Sequence, residues 1–385
     1  MTHYTGPIKP KLPHVGTTIF AVMSQLAHDH QALNLSQGFP DFPVSDELIG
    51  LVNAYMKKGF NQYAPMLGVP SLRDAICAKI EDLYDRVYHP EKEINITAGA
   101  TQAIYTAVAA VIHPGDEVIL FTPAYDSYAP AVEVHGGIPV YSHLQAPDYN
   151  IDWEEVQRLL TPKTRMIVIN TPHNPTGTVL AETDLRRLDG IVRDTDIIVL
   201  SDEVYEHIMF DGKAHQTVMQ YPGLVERSFV TFSFGKTFHS TGWKMGYCLG
   251  PENLMAEFRS VHQFLVYCCN TPIQYAIADF LQEPDHYLGI GQMLQKKRDL
   301  FLDLVKDSRF SFKPSSGTYF QLLDYSRITN EKDADFAVRL TKEHKVASIP
   351  VSVFYPDEID NKVLRFCFAK REETLEKAAD ILCKI

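Results

Sequence analysis

The 385-residue chain lacks the marks of several protein classes. Its six cysteines are Cys77, Cys248, Cys268, Cys269, Cys367 and Cys383, and none forms a C-x-x-C pair. That is too sparse for a disulfide scaffold, so free buried thiols in a reducing cytosol are expected. No apolar run approaches the roughly 18 residues a membrane span needs. The opening residues, Met1-Thr-His-Tyr-Thr-Gly-Pro-Ile-Lys-Pro10, carry no apolar core of a secretory leader. A cytoplasmic location is therefore expected. There is no H-E-x-x-H pair, and His28 and His30 stand two apart, which does not share a helix face. No metal site is expected. There is no block of like charge, repeat or low-complexity segment. Asp+Glu (48) outnumber Lys+Arg (36), giving a net charge of −12. Such a chain repels a phosphate backbone, so nucleic acid is not an expected partner.

The composition is 45% hydrophobic and 22% charged, as in ordinary globular proteins. At roughly 100–200 residues per domain, the length predicts two or three domains. Short β-branched runs alternate with helical stretches from about residue 67 to 250. The runs are Val118–Phe121, Pro139–Tyr141, Met166–Asn170, Ile197–Leu200, Ser228–Phe232 and Gly246–Leu249. Helical candidates include Thr101–Val111, Trp153–Leu160 and Thr183–Arg193. This rhythm predicts an α/β fold with a mostly parallel sheet covered on both faces. Later the pattern changes to a long helix at Tyr287–Lys306, short strands at Gly317–Leu323 and Val363–Phe368, and a last helix at Glu372–Lys384. The expected organisation is a Pro-rich segment at 1–45 packing with a small α+β domain at 286–385, and a large α/β domain at 46–285.

Ligands of open α/β sheets sit beyond the carboxyl ends of the strands. Four such places carry polar residues: Thr97-Ala-Gly-Ala-Thr-Gln102, Asn170-Thr-Pro-His-Asn-Pro-Thr-Gly177, Ser201-Asp-Glu-Val-Tyr205 and Ser233-Phe-Gly-Lys-Thr237. Gly235-Lys-Thr237 is not a P-loop, because position 230 is Val instead of Gly. Gly289-Ile-Gly-Gln-Met-Leu294 lacks the third glycine of a dinucleotide fingerprint. Singly, these residues read as caps, surface lysines and core aromatics. Together they suit pyridoxal 5'-phosphate. Lys236 supplies an amine for its aldehyde. Asp202 keeps its ring nitrogen protonated. Tyr205 or Asn174 supplies a donor to its phenolic oxygen. Ala100, Thr101, Ser233 and Lys244 offer N–H groups, hydroxyls and a cation to its phosphate.

These strings, with Ser233-Phe-Gly-Lys-Thr-Phe-His-Ser-Thr-Gly-Trp-Lys-Met-Gly246, resemble the class I/II aminotransferases of PLP fold type I, the aspartate aminotransferase-like fold. The likeness runs from Leu35-Ser-Gln-Gly-Phe-Pro-Asp-Phe42 to Leu364-Arg-Phe-Cys-Phe-Ala369. Within the family it points to the branch of methionine and kynurenine/glutamine transaminases. Asn61-Gln-Tyr-Ala-Pro-Met66, Tyr125-Asp-Ser-Tyr-Ala-Pro130 and Ile349-Pro-Val-Ser-Val-Phe354 carry that part.

The resemblance implies a large seven-stranded sheet domain and a homodimer with active sites shared across the interface. It implies Lys236 as the catalytic amine, Asp202 against the ring nitrogen, Tyr205 and Asn174 on the phenolic oxygen, and Tyr125 stacked on the ring. Ala100, Thr101, Ser233 and Lys244 would hold the phosphate, joined by Tyr63 from the neighbouring subunit. Arg365 would grip the substrate carboxylate near Asn174 and the Gly38 backbone, with Ile19 and Phe39 lining the side-chain pocket. Many family members have Arg where this chain has Lys244, so here the phosphate meets a point charge.

The implied reaction is ping-pong transfer of an amino group from methionine, an aromatic amino acid or glutamine to a 2-oxo acid. Three alternatives stand beside it, the first two on the same cofactor site and the third needing the polar strand ends to be coincidence. They are a kynurenine/glutamine transaminase with cysteine-S-conjugate β-lyase activity, a PLP-binding regulatory protein without turnover, and a cofactor-free structural protein.

Overall fold

The computed structural model describes residues 3–385; Met1 and Thr2 of the expected 1–45 segment lie outside them. Seven strands build the main sheet: β1 Ile94–Thr97, β2 Glu117–Thr122, β3 Ile138–His143, β4 Thr164–Asn170, β5 Ile198–Asp202, β6 Ser228–Ser233 and β7 Gly246–Leu249. Their spatial order is β1-β7-β6-β5-β4-β2-β3. β7 is antiparallel to β1 and β6, and the other pairings are parallel. This is the mostly parallel α/β sheet expected.

Successive side chains of a strand point to opposite faces, so a sheet buried on both sides needs apolar residues at nearly every position. Val118, Leu120, Met166, Val168, Ile198 and Leu200 pack on one face against the helix Ala100–Val111 and against Met255 and Phe258. Ile119, Ile167, Ile169 and Val199 fill the other face with Trp153, Leu185 and Leu188. Each such side chain contributes about 1.5–3 kcal/mol when fully buried.

A smaller antiparallel sheet comprises β8 Phe320–Asp324, β9 Ile349–Pro350 and β10 Val363–Cys367, ordered β9-β10-β8. Helices Ile290–Val305, Asp333–Glu343 and Glu372–Leu382 accompany it. The N-terminal segment is tied to this part by a parallel pair, Leu33–Asn34 with Val346–Ala347.

Several elements differ from the sequence expectation. The long helix at 287–306 is broken at Gly289 into Asp285–Leu288 and Ile290–Val305. The strand expected from Gly317 begins only at Phe320, because Thr318 takes a left-handed backbone (φ 64°). The Pro-rich 1–45 segment also contains a helix, Ile19–Asp29, capped by the Thr18 hydroxyl. β1 (Ile94-Asn-Ile-Thr97) is short and alternates apolar with polar residues, so it is not one of the continuous apolar runs. All six cysteines are free, but only Cys248, Cys269 and Cys367 are buried; Cys77 and Cys268 are half-buried and Cys383 is exposed.

Gly246 is the closest joint of the sheet. A Cβ there would strike the Phe232 carbonyl oxygen and stand 3.1 Å from the Ala100 nitrogen. Those atoms are backbone and cannot swing aside. Gly246→Ala is therefore expected to destabilise the protein by about 1–3 kcal/mol, read as a lowered urea midpoint at unchanged slope.

Candidate active site

The sheet register gathers the polar strand ends. Thr97 and Ser233 both face Gly246, and Asn170 and Thr231 flank Asp202. A cavity of about 260 Å³ opens at this edge. Ala100, Thr101, Tyr125, Asn174, Asp202, Tyr205, Ser233, Lys236, Lys244, Gly38 and Arg365 all line it, although they are spread over most of the chain.

Lys236 sits in the single turn Phe234–Thr237 after β6. Its Nζ donates to the Tyr319 hydroxyl (2.8 Å) and the Gly38 carbonyl (3.3 Å). Burial pushes its pKa down to about 8. A neutral amine is a nucleophile and a base, so this shift suits a group that must shed its proton near neutrality.

Asp202 ends β5 and is buried. It accepts from the Tyr128 hydroxyl (2.5 Å) and the Val204 N–H (3.4 Å). Among the described residues its carboxylate forms no salt bridge, and burial raises its pKa to about 6, against the pull of those hydrogen bonds. Asn170 braces the neighbourhood. Its side-chain amide donates to the Asp202 carbonyl, and its Oδ1 accepts from the Asn174 N–H, both at 2.8 Å. Tyr205 lies in the next turn, buried, with its ring edge-on to Tyr319 at 5.3 Å.

A second group of donors lies at the start of the helix Ala100–Val111. Its N-cap is Gly99 (φ 79°), which has no side chain to occupy the first N–H groups. The Gln102 side chain turns back to Ala98 and leaves them open. The Lys244 amine stands 3.4 Å from where a Gly99 Cβ would be. Thr101 and Ser233 add hydroxyls beside the cavity. N–H groups at the positive end of a helix, with one cation and two hydroxyls, form an anion site.

Arg365 comes from β10 and is buried. Its guanidinium lies over the Phe320 ring at 3.9 Å and between Phe20 and Phe354 at 5.2 and 5.4 Å. It donates to Asn174 Oδ1 (2.6 Å) and the Ser36 carbonyl (3.2 Å), while among the described residues its Nε has no partner. A buried guanidinium with an unused donor and no carboxylate bonded to it is ready to bind one.

Three expected residues stand apart from the cavity in this chain. Tyr63 is 83% exposed and packs edge-on against Tyr267. Phe39 is 44% exposed, with Lys370 above its ring. Ile19 packs against the core, and its neighbour Phe20 is the one that lines the cavity. Adjacent helix positions differ by about 100° in direction, so Ile19 and Phe20 face different ways. Tyr128, Asn170, Tyr319 and Phe320 belong to the site without having been expected there. Tyr128 lies three residues after Tyr125, and Asn170 ends the strand that leads to Asn174. Those spacings are the signals the sequence offers for them.

One cavity thus gathers an amine, an unpaired buried carboxylate, an anion cradle and a free guanidinium edge, which offer partners to an aldehyde, a cation, a phosphate and a carboxylate. Comparison with known proteins agrees. Residues 30–382 match the model for aminotransferase class I and II. The chain belongs to this family and is an aminotransferase. It is 48% identical to methionine aminotransferase of Escherichia coli, covering 98% of each chain. It is 33% identical to human kynurenine–oxoglutarate transaminase 3, over 97% of this chain and 89% of that protein. A solved structure of Escherichia coli YbdL, for which a methionine aminotransferase function was identified, superposes with a TM-score of 0.96 at 48% identity, covering 98% of this chain and all of that one.

The Asp202 environment gives a test with a defined sign. Its pKa is raised in the folded protein from 3.8 to about 6. Folding without a cationic partner is therefore favoured while it is protonated, and that stability is lost as pH rises through about 6. Asp202→Asn is expected to stabilise the cofactor-free protein by about 2–3 kcal/mol at pH 8. The gain should vanish below about pH 4, as read by denaturant melts across pH.

Proposed function

We propose that this aminotransferase carries pyridoxal 5'-phosphate and moves the amino group of methionine, and of other large apolar or aromatic amino acids, to a 2-oxo acid. The observation that carries the donor assignment is the set of cations lining the cavity. Among the described residues these are Lys236, Lys244 and Arg365. Each has a task, and none is left for a side-chain carboxylate. Phe20, Ile104, Tyr125 and Phe320 supply an apolar and aromatic lining that suits a thioether or an aromatic ring. The likeness to methionine aminotransferase supports the same donor.

The residues present fit the cofactor. Asp202 is a buried carboxylate in want of a cation, and a protonated ring nitrogen is one. The open helix start with Thr101, Ser233 and Lys244 fits a phosphate dianion, and glycines at 99 and 246 keep Cβ atoms out of the cradle. Tyr125 offers a ring face, while Tyr205 and Asn174 offer donors to the phenolic oxygen. When bound, pyridoxal phosphate supplies the aldehyde that takes up the amino group and a ring that spreads the charge left by the departing α-proton.

The chain's own residues do the rest. Arg365 and Asn174 hold the α-carboxylate, which sets the α-carbon relative to Lys236. Lys236, as a free amine, takes the α-proton and returns it to a second carbon. Asp202, ionised, would hold the proton of the ring nitrogen and so favour the charge-separated state. The 2-oxo product leaves before the acceptor enters, and the same residues then act in reverse order.

The reading extends to the assembly. Tyr63, exposed beside Tyr267, would complete the phosphate site of a second copy in a homodimer. The first 45 residues would move with the small domain, 286–385, relative to the large domain, 46–285. A cytoplasmic location fits the free thiols, and among the described residues no helix is long and apolar enough to cross a membrane.

The purified protein with pyridoxal phosphate is expected to absorb visible light, to lose that absorbance with methionine, and to regain it with 2-oxoglutarate. No response to methionine would overturn the donor assignment. Arg365→Lys keeps the charge but loses the fork. It is expected to raise KM for methionine about 10–100-fold while cofactor affinity stays unchanged.

A further inference from the structure

Tyr319 lies in the turn that leads into β8 and is almost fully buried. Its hydroxyl donates to the Gly38 carbonyl oxygen in a short hydrogen bond. It therefore has no proton left for Lys236 and can only accept. Lys236 Nζ donates to it at 2.8 Å and to the same Gly38 oxygen at 3.3 Å. The three atoms close a triangle, so both acceptors stand on one side of the amine. Oxygen lone pairs attract an N–H and repel the nitrogen lone pair. The side of Nζ that faces Tyr319 and Gly38 must then carry hydrogen, and the lone pair is kept off it. Were Gly38 absent, the Tyr319 proton would turn to the amine and cap that lone pair.

We propose that Tyr319 is a positioning residue for Lys236: with its own proton tied to Gly38, it draws an N–H of the amine to itself and leaves the lone pair free for the substrate's α-proton. This rests on the reading of Lys236 as the base. Other charged and titratable groups surround the amine. Asp202 comes from β5, Tyr205 from the turn after it, Lys244 from the approach to β7, and Arg365 and Cys367 from β10. Tyr319 is distinguished from them by direct contact with Nζ and by the relay to Gly38.

The test is Tyr319→Phe, which removes only the hydroxyl. In the cofactor-free protein, Lys236 is methylated with formaldehyde and borohydride across pH and tracked by peptide mass. An acceptor favours the ammonium form. Its loss is expected to move the midpoint below the wild-type value. In the loaded enzyme, kcat is expected to fall about tenfold with KM for methionine within about twofold, and the isotope effect with α-deuterated methionine to rise. An unchanged midpoint and isotope effect would overturn the inference. Should the Phe variant not fold, 3-fluorotyrosine at 319, a weaker acceptor, is expected to shift both readouts in the same direction and by less. No shift there would equally overturn it. A wild-type protein that fails to transaminate methionine would sink the functional reading alone, since the methylation profile still judges the Tyr319 contact.

Discussion

The site depends on strand register. In a sheet, a slip of one residue sends every side chain to the opposite face. Here Asp202 is paired with Asn170 on one side and Thr231 on the other, while Gly246 faces both Thr97 and Ser233. These pairings bring the anion cradle, the lysine turn and the buried carboxylate to one edge. The apolar residues enforce them. Val199 and Leu200 belong to different faces, so a slipped β5 would bury Ser201 or Asp202 among hydrocarbon. The core selects the register, and the register assembles the chemistry.

The second half of the site comes from another part of the chain. Arg365 sits in β10, held between β8 and β9, and Phe320 at the start of β8 supplies the ring beneath it. The N-terminal segment joins this sheet's neighbourhood through Leu33–Asn34, and a few residues later its Gly38 carbonyl reaches Lys236. The carboxylate clamp and the lysine's acceptors thus arrive together on the same side of the cavity. In the proposed small-domain motion, a displacement that opens the clamp would carry Gly38 and Tyr319 together away from Lys236. On the proposed reading, the lysine is best prepared when the substrate's carboxylate is already held.

Much of this was legible in the chain itself. A sheet buried on both faces forces continuous β-branched runs, and the polar residues at the ends of those runs come out at the sheet edge. Lys236, Asp202 and Asn174 stand out for that reason. Tyr319 and Phe320 did not, because an aromatic within an apolar run reads as core, and only the fold sets the Tyr319 hydroxyl on Lys236 and the Phe320 ring under Arg365. Tyr128 was hidden in the same way: its partner Asp202 lies 74 residues on. Ile19 and Phe39 show the converse difficulty. Which side of a helix or loop faces the ligand depends on a rotation that a motif does not carry, and here Phe20 is turned inward.

Charge sets Lys236 apart from its neighbours. The chain as a whole is acidic, with a net charge of −12, yet its cavity gathers Lys236, Lys244 and Arg365 around the one buried carboxylate, Asp202. On the proposed reading a phosphate neutralises Lys244, a substrate carboxylate neutralises Arg365, and a protonated ring nitrogen neutralises Asp202. Lys236 is then the group without a fixed counterion. Its ammonium form gains nothing from burial, and its hydrogen bonds run to neutral oxygens. The low-dielectric surroundings that make every other pairing strong make this one amine easy to deprotonate. A lysine poised between proton donor and acceptor is what a reaction that removes a proton from one carbon and returns it to another requires.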